Sequence, residues 1–129
     1  MTGADIAGLI AGALRAAGLD AWPQAVSPAL CEEPVCVSPI SWTRERELDC
    51  GEARVRVEAR VLCCGYTRER AAKAAYEVLA ALEQTRWSEA CANAGFRAVC
   101  VEARMGEAGM DGGAHVQAID VTMRIAGAL

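Results

Sequence analysis

Apolar and charged residues alternate strictly through the middle of this chain, and then the period changes. Val55, Val57, Ala59 and Val61 interleave with Arg54, Arg56, Glu58 and Arg60. This is the period of two expected of a strand with one buried face and one charged face. Beyond Gly65 and Tyr66 the repeat lengthens: Ala71, Ala75, Val78, Leu79 and Leu82 recur at helical spacing, and Thr67 stands where it can cap the first turn. Residues 53–84 therefore predict a long strand, a tight turn and a helix over 67–84, about 27 Å long.

The flanking segments supply the other elements. Thr2 as N-cap with Asp5 three residues on predicts a first helix; its stripe is Ile6, Leu9, Ile10, Ala13, Leu14 and Ala17, and Gly18 ends it. Gly8 and Gly12 weaken that helix, and their spacing permits close packing on another element. Residues 20–34, with Pro23, Pro28 and Pro34, read as an extended connector. The stretch PVCVSPI (34–40) has strand composition, and its prolines suggest an edge. Residues 41–49 predict a separate charged strand projecting from the body. In it Trp42, Arg44, Arg46 and Leu48 alternate with Thr43, Glu45, Glu47 and Asp49. Cys50, Gly51 and Glu52 form a turn into the long strand. A short helix at 87–94 closes at Gly95, and 96–105 is a strand. Residues 106–113, with four glycines and Asp111, read as a flexible loop. The last strand, 114–126, sets Ile119, Val121, Met123 and Ile125 against Asp120, Thr122 and Arg124. The predicted order is α-β-β-β-α-(short α)-β-β. Short connections imply antiparallel hairpins, hence an α+β fold with one mainly antiparallel sheet of four to five strands packed by two helices.

Composition narrows the function classes. A length of 129 residues suits a single domain, and 53% apolar with 23% charged residues predicts a folded core. With one Phe, two Tyr and three Trp, that core must rest on Val, Leu, Ile and Ala. A net charge of −4 argues against nucleic acid as the main partner, because phosphate contacts need a basic face. The apolar stretch 6–14 is too short to span a bilayer, and Asp5 stands where a secretory signal would be basic. Seven cysteines, an odd number, then imply free thiols in a reducing cytosol.

Chemical motifs are sparse. There is no C-x-x-C pair, Cys31 and Cys36 are separated by four residues, and Cys63 and Cys64 face opposite ways on a strand, so no metal or cofactor site is expected. His115 is the sole histidine, and a catalytic thiol would have to be Cys63 or Cys100 beside it, without an evident orienting group. A solvated histidine at a strand start is the simpler reading. The glycine run GEAGMDGG lacks the Lys-Ser/Thr of a phosphate loop and reads as a contact arm. Mixed charges at 44–60 describe either a solvated face or an interface where opposite charges from two copies meet. Trp42 and Trp87 are either interface anchors or covers for the core edge. Candidate subunit or partner contacts are therefore Trp42, Arg44, Arg46, Arg54, Arg56, Trp87 and Asp111.

The order and size of these elements resemble the small tail-terminator, or tail-completion, proteins of long-tailed bacteriophages and prophages. The resemblance runs over nearly the whole chain. It begins with the amphipathic helix 4–17 and the proline connector into PVCVSPI. It continues through a strand hairpin into ARVRVEARVLCCGYTRERAAKAAYEVLAALE, and ends with FRAVCVEARM and AHVQAIDVTMRI. The cysteines are not part of it. It implies a structural virion protein, not an enzyme, forming a homo-oligomeric ring commonly of six subunits. Such a ring caps the tail tube, stops its polymerisation and presents a surface to the head-completion protein. It would act in the host cytoplasm during assembly and then in the virion tail, with no membrane, specific nucleic acid or cofactor. The hairpin at 42–56 and the loop at 106–113 would reach neighbouring subunits.

Two other readings compete. The helix–strands–helix start evokes the double-stranded-RNA-binding fold, against which stand the acidic charge, two further strands and a thin basic start to the second helix (Arg68, Arg70, Lys73). The other is a small-molecule-binding or enzymatic α+β dimer, with His115 and a cysteine lining a pocket.

Overall fold

The computed structural model describes residues 3–26, 31–47 and 51–127. Thr2, Pro28, Leu48, Asp49 and Cys50, which carry a predicted cap, a connector proline and the predicted strand end and turn, lie outside the described residues. The described elements are α1 (Gly3–Ala16), β1 (Ala21–Trp22), β2 (Val35–Glu47), β3 (Ala53–Gly65), α2 (Arg68–Gln84), α3 (Trp87–Asn93), β4 (Arg97–Asp111) and β5 (Ala114–Gly127). The strands form one five-stranded sheet in the order β1-β2-β3-β5-β4. Every pairing is antiparallel except β1 with β2. The fold is α+β.

Alternation in β3 becomes burial. Every odd residue from Ala53 to Gly65 is buried and every even one is half-buried. The buried face meets Ile119, Val121, Met123 and Ile125 of β5, Ile6, Ile10 and Leu14 of α1, and Ala75, Val78 and Leu82 of α2 in one core. The helices thus cover a single face of the sheet. Alanines let α2 lie close: a Cβ on Gly65 would stand 2.6 Å from the backbone nitrogen of Ala71. Thr67 caps α2 as predicted, its hydroxyl accepting from the Arg70 amide at 3.1 Å. Helix α1 ends at Gly18 (φ 87°), where Gly18 and Leu19 amides donate to the Arg15 and Leu14 carbonyls. Gly95 closes α3 in the same way.

Four expectations are corrected. The two strands predicted at 34–40 and 41–49 are one strand, β2, because a register shift between Pro39 and Ser41 absorbs the proline as a bulge. The third early strand is instead β1, inside the predicted connector, where Ala21 and Trp22 pair with Val35 and Cys36. The flexible loop at 106–113 is absent: β4 runs on to Asp111, and only Gly112 (φ 56°) and Gly113 (φ 85°) make the turn. Positive φ at both positions is what a two-residue hairpin requires. Gly106 stays in the strand because Asp120 lies over it; an added Cβ would stand 2.8 Å from the carboxylate. Finally, nothing lies within 4 Å of a Cβ built on Gly8 or Gly12, so their bare backbone makes no close packing among the described residues.

Candidate functional site

No described element covers the second face of the sheet. Its side chains follow from the register. On β3, Arg56 stands between Thr43 of β2 and Arg124 of β5, Glu58 between Ser41 and Thr122, and Arg60 between Ser38 and Asp120. Thr122 and Asp120 then face Glu102 and Arg104 on β4. Arg54, Arg56, Arg60, Arg104 and Arg124 thereby share a face with Glu45, Glu58, Glu102 and Asp120.

These charges are partly matched. Arg60 Nε donates to Asp120 Oδ1 at 3.1 Å, and Arg56 pairs with Glu58 at 2.5 Å. Ser41 Oγ donates to Glu58 at 3.3 Å, and Arg124 Nε reaches Glu45 at 3.4 Å. Among the described residues the Nε atoms of Arg54 and Arg56 are buried without an acceptor, unusual for buried donors. A shallow cleft of about 450 Å³ lies among Arg56, Glu102, Arg104, Asp120 and Arg124. Pairs this exposed are individually weak, so the face offers a pattern of charge more than a rigid clamp.

The sheet also ends in two open edges. β1 pairs only with Val35 and Cys36, leaving the rest of β2 without an outer neighbour among the described residues. β4 is the opposite edge. Trp42 (36% exposed) lies on β2, and Val99 (47%) and Met110 (64%) on β4.

The predicted contact residues divide between these places. Arg54 and Arg56 are on the charged face, and Arg46 stands opposite Arg54 in the register. Trp42 and Arg44 are opposite Val57 and Val55, so they belong to the helix-side face at the β2 edge. Asp111 is exposed at the far hairpin, opposite Ala114. Trp87 is apart from all of them: it packs half-buried against the core, and its Nε1 donates to the Leu82 carbonyl at 3.1 Å. The structure adds Arg60, Glu102, Arg104, Asp120 and Arg124, which sequence reasoning did not select. Their signal was the alternation in both final strands, but only sheet order joins it to the alternation in β3.

His115 is half-buried opposite Gly65 and lines a cavity of about 310 Å³ with Arg68, Ala71, Met110 and Gln117. Cys63 is two residues away on β3, but burial pushes its thiol up to about 12, which keeps it protonated. Cys100 faces Arg124, nine residues along β5 from His115 and so about 30 Å distant, out of reach. Among the described residues no helix is long and apolar enough to cross a membrane. Compared with known proteins, the chain matches no family model and no curated relative.

Proposed function

We propose that this chain is a structural subunit of a phage tail, a terminator that assembles as a ring, caps the tail tube and joins it to the head-completion complex. The observation that carries this reading is the asymmetry of the sheet: helices on one face, an uncovered lattice of both charge signs on the other, and two different open edges. A ring of identical subunits needs two unlike patches on each copy, and a layer with two unlike edges supplies them. The work is assembly: neighbouring copies and the tail tube are the partners, and the charged face discriminates among them by pattern. The ring acts in the host cytoplasm during assembly and remains in the virion tail. The test is to add the purified protein to polymerising tail-tube protein of the same genome. Tubes should become shorter and end in a ring by electron microscopy; unchanged tube lengths and bare ends would overturn the reading.

A second reading rests on the cavity beside His115 and Arg68, which suits a small anionic ligand. It predicts a ligand-dependent rise in thermal stability that His115→Ala abolishes. The RNA-binding reading is less favoured, since Arg70 is engaged by Glu33.

A further inference from the structure

The exposed apolar side chains concentrate where the sheet is unfinished. Of the large hydrophobics exposed among the described residues, Trp42, Val99 and Met110 lie on the two edge strands, and only Tyr66 and Tyr76 lie elsewhere. On β2 the stretch 41–47 contains no proline, so the alternate amides that point away from β3 can donate at the open edge, with one register shift between Arg44 and Arg46. On β4 a register shift between Ala98 and Cys100 leaves Val99 exposed beyond the ladder. Long edges of this kind are normally covered, charged or paired.

The two edges also fit one another in direction. β2 and β5 run one way, β3 and β4 the other. A second copy set beside β4 in the same orientation therefore brings its β2 antiparallel to that strand. Continued without stagger, the rows of the sheet give the level: Thr43, Arg56, Arg124 and Cys100 form one row, and Trp42, Val57, Met123 and Val101 the next. We infer that β2 of one copy adds antiparallel to β4 of the next, with Thr43 facing Cys100 and Trp42 covering the Val99–Val101 segment.

At this alignment one like-charge pair meets, Arg46 against Arg97, and Arg97 is already held by Glu52 at 2.6 Å within its own copy. Glu102 faces Ser41 and Arg104 faces Ser38, each a hydroxyl able to bond a charged group. The helices of both copies stay on one side and the charged faces on the other, so the sheet continues from subunit to subunit. The contact is head-to-tail, and it repeats until it closes or grows as a filament. This inference rests on the ring reading and names the surfaces that build the ring.

Its test uses the native thiol on β4. Cys100 is half-buried and free, and Ser41, Thr43 and Glu45 are exposed, so single cysteines at 41, 43 and 45 scan the register without disturbing the core. Directly opposed residues lie close enough for a disulfide. Diamide supplies the oxidant: it takes up two electrons and two protons as two thiols become one disulfide. Thr43→Cys should give a ladder of covalent multimers on a non-reducing gel, stronger than from Ser41→Cys or Glu45→Cys and lost when Cys100→Ser is added. No ladder from any of the three positions, or wild-type dimers linked through Cys100 of both copies, would overturn the pairing. A ring seen by microscopy without a ladder refutes the pairing and leaves the tail reading standing. A ladder without any effect on tail tubes does the reverse.

Discussion

The Glu45 carboxylate on β2 meets the Arg124 guanidinium on β5 at 3.4 Å, although β3 lies between their strands. The reach passes over Arg56, which stands directly opposite Arg124 in the ladder. Two guanidinium groups so placed repel one another. Each has its own acid: Glu58 for Arg56, Glu45 for Arg124. Glu45→Gln should therefore destabilise the fold by about 0.5 kcal/mol in urea titration, the modest scale of exposed pairs. Adding Arg124→Thr should recover most of that loss, because the repulsion goes with it. The difference should shrink in high salt.

Glycines at different positions should respond with opposite signs. Gly65→Ala drives a Cβ to 2.6 Å from the Ala71 amide, so α2 must move off the sheet. A loss of about 1–3 kcal/mol is expected, typical of overpacking. Gly12→Ala meets nothing within 4 Å and stiffens α1. It should add about 0.5–1 kcal/mol. Thermal unfolding of the two variants would show the opposite shifts.

Stability should fall in alkali. Burial raises the Cys63 thiol from 9.0 to about 12, and burial likewise raises Cys36, Cys64 and Cys91. A raised folded-state value means the unfolded chain releases its protons first. The Cys63 contribution is therefore complete below about pH 9 and is lost as pH climbs toward 12, at up to about 1.4 kcal/mol per pH unit, and the other three thiols act in the same direction. Denaturant titrations at rising pH check this. Cys63→Ala should lower stability throughout and flatten the slope.

The two tryptophans separate folding from assembly. Trp87→Phe removes the bond to the Leu82 carbonyl. It should cost about 1 kcal/mol with association unchanged. Trp42→Ala, at an open edge, should leave stability within about 0.5 kcal/mol and weaken association. Paired unfolding and sedimentation measurements would tell the two apart.

The periodic segments were legible from the residues. Val55 to Val61 and Ala71 to Leu82 announced β3 and α2 because each buries one face, and burial writes its period into the chain. The composition at Gly106 and Gly109 suggests a loop, whereas both lie in β4 and Gly106 is small to admit the Asp120 carboxylate, a contact across the sheet. Pro39 hid the continuity of β2 for a similar reason, since a bulge and not a break accommodates it. The charged face was half legible: Arg54 and Arg56 follow from alternation. Their meeting with Arg124 and Glu45 depends on β5 lying next to β3, which no local pattern reveals. Trp87 shows the opposite limit, since a large aromatic beside charges reads equally as an anchor or as cover for the core edge, and no local pattern shows its indole nitrogen turned to a helix carbonyl.

The central claim is that unlike surfaces on one copy join the next. The most direct measurement is molar mass in solution, by light scattering on a size-exclusion column across a wide concentration range. The account predicts a closed species several times the 13.6 kDa subunit that gains on the monomer as concentration rises. A dimer of fixed mass at every concentration would contradict it, because two-fold pairing uses one surface twice and leaves no second edge to build a ring.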